Sequence, residues 1–158
     1  MNDEKKNVLA AQTYQTAIHA LEKRGWRFDR RDEKLILYFK VSGDDIPMDM
    51  ILHVDAGRQV VRLSSPLPFK MSEQKRIEGA VAACAASYGL ADGYFEYDIG
   101  DGMIVYKVTT AFVDSVIGEA AIHYLVECAC ALADHYNDLF LALDKGMIDL
   151  GTFIARCK

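Results

Sequence analysis

Between residues 34 and 41, apolar side chains recur at every second position: Leu35, Leu37, Phe39 and Val41, with Ile36, Tyr38 and Lys40 between them. A period of two puts each set on its own face of a sheet and predicts a half-buried strand. Residues 48–54 and 59–63 read as two more strands. Asp55-Ala56-Gly57-Arg58 joins them as a tight hairpin, with Gly57 expected at a positive φ. Residues 26–30 form a shorter strand candidate, and 94–99 and 103–112 pair around the turn Gly100-Asp101-Gly102. Elsewhere the period lengthens to that of a helix. Val8, Ala11, Ile18 and Leu21 share a face over residues 8–24, which stop at Gly25. Ser72 is placed to cap a helix over 73–87, ended by Gly89. Ile122, Leu125, Ala129, Leu132, Tyr136, Leu139 and Leu143 stripe a long helix over 118–143, ended by Gly146. Asp149 then caps a short turn with Leu150, Phe153 and Ile154 on one side.

The order is α-β-β-β-β-α-β-β-α with a short tail helix. Strands joined by tight turns make an antiparallel sheet, and helices set apart from it make an α+β fold, a twisted antiparallel sheet flanked by helices. The first and last large helices are expected on one face of the sheet. Ser64-Ser65-Pro66-Leu67-Pro68-Phe69-Lys70 separates the strand pattern from the helix pattern. Its prolines are expected to stop pairing, because proline donates no ladder hydrogen bond. At 158 residues the chain suits a single domain over 1–158, with a flexible start at 1–7 and a tail helix within 147–158.

A net charge of −5 is unlike the basic face of a general nucleic-acid binder. The most basic stretch, Arg24 to Arg31, holds Trp26 and Phe28, a combination that stacks on single strands in some proteins. Asp29 within it and Asp32 and Glu33 directly after it make it read as a solvated edge. No apolar run reaches the length of a membrane span, and no signal sequence opens the chain, so a cytoplasmic location is expected. Cys84, Cys128, Cys130 and Cys157 form no C-x-x-C pair, so neither a metal site nor a disulfide is expected; Cys84 reads as a small core residue.

Taken together, Ser65-Pro66-Leu67-Pro68-Phe69-Lys70, Glu73-Gln74-Lys75-Arg76, Tyr88-Gly89-Leu90, Gly93-Tyr94-Phe95-Glu96-Tyr97-Asp98, Asp101-Gly102 and Ala133-Asp134-His135-Tyr136 resemble the YbjN family of bacterial sensory transduction regulators. The resemblance runs from Gly25 to Leu143. It implies a fold like that of the class I chaperones of type III secretion and a regulatory, protein-binding role. It implies no catalytic residues.

The residues themselves carry little chemistry. Glu119, His123 and Glu127 share a helix face at intervals of four, but the matching Glu-x-x-His on a second helix is missing, so a solvated face is the reading. Asp98-Ile99-Gly100-Asp101-Gly102 lacks the ligand alternation of a calcium loop. No serine sits in a nucleophile elbow. The expectation is a non-enzymatic protein without a cofactor. An alternative is a small-molecule sensor, with a pocket between the sheet and the last helix lined by Tyr97, Tyr106, Tyr124 and Tyr136. The second sheet face holds Ile36, Tyr38, Ile51, Met103 and Val105, and the helix over 73–87 is expected to cover part of it. That helix offers Gly79, Ala80, Ala83 and Ala86 for close contact with a second copy, which predicts a homodimer. Phe153 and Ile154 are expected to line a client-binding strip.

Overall fold

A computed structural model describes residues 3–43 and 46–157. Helix α1 (Asp3–Lys23) leads into β1 (Phe28–Arg31), β2 (Ile36–Ser42), β3 (Pro47–Asp55) and β4 (Val60–Lys70). Helix α2 (Arg76–Tyr88), strands β5 (Tyr94–Tyr97) and β6 (Met103–Ala111), and helices α3 (Glu119–Asp144) and α4 (Leu150–Arg156) follow. The six strands form one antiparallel sheet in the order β1-β2-β3-β4-β6-β5.

Alternation along β2 carries across the sheet. Leu37 pairs with Leu52, Leu52 with Leu63, and Leu63 with Val108, and all four are buried. The helices gather on this face. Phe95 of β5 sets its ring edge-on to Tyr136 and Phe140 of α3, at 4.9 and 5.5 Å between centroids. Phe153 of α4 reaches Phe140 at 5.0 Å. α1 lies alongside α3 through Lys23–Glu119, Arg24–Glu127 and a His123 Nε2 contact to the Ala20 carbonyl at 2.9 Å. The helix face that could have read as metal ligands thus holds two helices together.

The opposite face carries no helix. One row across it reads Asp29, Tyr38, Ile51, Ser64, Lys107 and Tyr94, each paired with the next. α2 packs on the core side against β5, so the expectation that it covers the second face is corrected.

Several local expectations also change. α1 begins at Asp3, ahead of the start at Val8 that the periodicity gave; Asp3 and Glu4 suit the positive end of a helix. Met1 and Asn2 lie outside the described residues, as do Asp44 and Asp45 of the β2–β3 connection. β4 runs through both prolines to Lys70. Its pairing with β3 ends at Ser64, so Pro66 and Pro68 lie where only β6 flanks the strand. A proline there removes no ladder bond on the vacant side. In the β3–β4 turn the positive φ belongs to Gln59, at 54°, whose carbonyl accepts from Phe112 N at 2.9 Å. Ser72 makes no side-chain cap; its own N–H donates to Asp144 Oδ1 at 2.6 Å, and a 3-10 turn, Glu73–Lys75, precedes α2. Asp149 does cap α4, accepting from Thr152 N at 2.7 Å.

Candidate functional site

The small residues expected to meet a second copy mostly face inward. Gly79, Ala83 and Ala86 are buried beneath α2. A Cβ on Gly79 would come within 2.7 Å of Tyr97 Oη and 2.8 Å of Met71 Cγ, so glycine lets the helix seat on β5. Phe153 is likewise fully buried among the aromatic rings, so it is corrected from surface to core. Ile154 and Ala80 stay at the surface, in the groove where α4 meets α2. Met103 and Val105 are half-buried on the helix-free sheet face.

A different side of α2 is exposed and apolar. Ile77, Val81 and Tyr88 are 68%, 44% and 94% exposed, and Cys84 is exposed between them. Cys84 therefore does not belong to the core, contrary to its reading among alanines. The spacing i, i+4, i+7, i+11 puts these four on one stripe. It borders a groove of about 680 Å³ lined by Ala80, Ala85, Ile154 and Cys157. The periodicity was readable in the sequence, but α2 has two apolar sides and only tertiary packing decides which one is covered.

A second hollow, of about 650 Å³, lies on the helix-free sheet face beside β1. Tyr38, Ile51 and Pro66 line it together with Arg27, Lys40 and Asp49. Lys40 and Asp49 pair across β2 and β3 at 3.2 Å, and Lys107 pairs with Glu96 on the same face.

The tyrosines proposed for a sensor pocket are mostly packed. Tyr106 is fully buried, edge-on to Phe95 at 5.4 Å, and its hydroxyl donates to the Asp92 carbonyl at 2.8 Å. Burial pushes the Tyr136 hydroxyl up to about 12. Tyr124 is half exposed and donates to Asp92 Oδ2 at 2.5 Å, a bond that holds its pKa above the ordinary value. Through Asp92, Tyr106 and Tyr124 fix the α2–β5 connection to β6 and α3 respectively. Among the described residues, no three His, Cys, Asp or Glu side chains converge as metal ligands.

No protein-family model matches the sequence, and no curated protein matches it. Solved structures do resemble it. YbjN of E. coli, a proposed transcription regulator, superimposes with a TM-score of 0.58 over 85% of this chain and 92% of YbjN, at 10% identity. The fold is YbjN-like. A chain of the HopA1–SchA chaperone–effector complex matches with a TM-score of 0.54, also at 10% identity, over 82% of this chain and 95% of that one. Among the described residues, no helix is long and apolar enough to cross a membrane.

Proposed function

We propose that this protein is a non-enzymatic, cytoplasmic, protein-binding regulator of chaperone-like type, one domain acting as a homodimer. The exposed stripe on α2 carries this reading. An interface between identical chains must be self-complementary: where residue i meets j, j meets i. The exposed α2 positions form such a set about a point between Ala82 and Ala83. Antiparallel helices crossing there would set Ile77 against the partner's Tyr88, Ala80 against the partner's Ala85, and Val81 against the partner's Cys84. Large side chains then close the ends, while small ones let the middle approach. A stripe this exposed is costly to leave in water, at about 25 cal/mol per Å² of apolar area. The fold likeness supports the protein-binding part of the reading, since its neighbours are a proposed regulator and a chain from a chaperone–effector complex.

Light scattering during size exclusion should give about twice the chain mass of 17.7 kDa. Val81→Glu places a charge at the centre of the stripe without touching the core and should yield monomer. Val81→Cys should join two chains through the partner's Cys84 under mild oxidation, as seen on a non-reducing gel. A wild-type chain that stays monomeric at high concentration removes the dimer.

A further inference from the structure

The two edges of the sheet are treated differently. At β5, the outward N–H of Phe95 donates to Ser87 Oγ of α2 at 2.8 Å. At β1, no hydrogen bond among the described residues reaches the outer side of Phe28–Arg31. An edge with unpaired N–H and C=O groups is a template for another strand. β1 is also locally basic: residues 27–31 hold three arginines against one aspartate, in a chain of net charge −5. Arg24 is paired with Glu127 and Arg30 with Asp32, while Arg27 and Arg31 carry no ion pair among the described residues. The hollow over Tyr38, Ile51 and Pro66 opens beside this edge, with Arg27 on its wall.

We infer that β1 is a docking edge for an extended, acidic segment of a partner protein. The segment adds as a seventh strand; its carboxylates face Arg27 and Arg31, and an apolar residue between them drops into the hollow. This rests on the protein-binding reading and names the partner's chemistry. A second copy of this chain does not fit, because two arginine-rich edges would repel. Single-stranded nucleic acid fits poorly as well. The Trp26 ring it would stack on is laid against Phe39, at 6.0 Å and 18° between planes, with Arg24 at 6.0 Å from its centroid.

The test uses full-length protein and a fluorescent capped pentapeptide, Glu-Ser-Val-Ser-Glu, whose first, third and fifth side chains share one face of a strand, beside its counterpart with lysine for glutamate and a dodecamer of thymidine. The glutamate peptide should bind more tightly than the lysine peptide by about tenfold or more, and weaken with salt. The double variant Arg27→Glu, Arg31→Glu should lose that preference while keeping its circular dichroism. In unmodified protein, amide shifts on peptide addition should concentrate in residues 27–31 and around Tyr38 and Ile51. Equal binding of both peptides, no binding of the acidic one, shifts elsewhere, or tighter binding of the thymidine strand at the same arginines would each overturn the inference. Light scattering on the same samples separates the two readings: an intact dimer that ignores the acidic peptide loses the docking edge alone.

Discussion

Single residues set how closely the layers approach. Gly93 has a φ of 73°, and a Cβ there would lie 2.5 Å from the Lys107 carbonyl and overlap the Tyr106 hydroxyl. Gly93→Ala therefore meets both backbone strain and a clash with atoms that cannot swing away. It should destabilise by about 1–3 kcal/mol, lowering the melting temperature by a few degrees in calorimetry. Gly79→Val should act similarly through Tyr97 and Met71, and should also shift α2. An unchanged melting temperature in both variants would contradict the packing described for α2 and β5. Phe153 illustrates a residue whose type was legible but whose place was not. Its hydrophobicity was plain, yet on a seven-residue terminal helix nothing in the sequence told core from exposed strip. Phe153→Ala empties a fully buried site and should cost about 3–5 kcal/mol.

Elements show where sequence reasoning carries and where it stops. Of the alternating Leu35, Leu37, Phe39 and Val41, the last three mark the buried face of β2, because period two leaves no choice of side once one face is wet, whereas Leu35 ends the preceding 3-10 turn at a φ of 53°. The α+β order and the antiparallel sheet were legible for the same reason. The path of β4 through Pro66 and Pro68 was not, since a proline's cost depends on whether the side facing its nitrogen has a partner, a property of the neighbouring strand. The burial of Gly79, Ala83 and Ala86 was hidden by a similar ambiguity. Small residues mark close contact but do not say with what, and here the contact is the chain's own sheet. At α4, Asp149 was recognisable as a cap from spacing alone. Asp149→Ala should cost about 1 kcal/mol and loosen α4 against α2, visible as faster amide exchange in residues 150–156.

Across the whole molecule, the shifted groups bound the pH range of stability from both ends. The Asp32 carboxyl is held below the ordinary value by Arg30 and Tyr14, and the Asp101 carboxyl by Lys70 and the Met103 amide. A lowered folded pKa contributes stability above the unfolded value, near 4, that is lost as pH falls through the folded one. Tyr14, raised to about 12 by burial and by Asp32, and Tyr136 behave in the opposite sense. Their contribution is complete below about pH 10 and disappears as pH rises toward 12. Stability measured by denaturant unfolding should therefore fall slightly as pH drops below about 4 and again as it rises above about 10, the alkaline loss accompanying the last of the tyrosinate absorbance. Tyrosinate absorbance that reached the full amplitude of all eight tyrosines near pH 10 with the fold intact would contradict the burial of these hydroxyls. The unequal sheet edges bear on solubility as well. A sheet that accepted strands at both ends could propagate molecule by molecule into a fibre. With the Phe95 amide bonded to Ser87, strand addition at β1 as proposed would leave growth one end only, so each chain would be extended once.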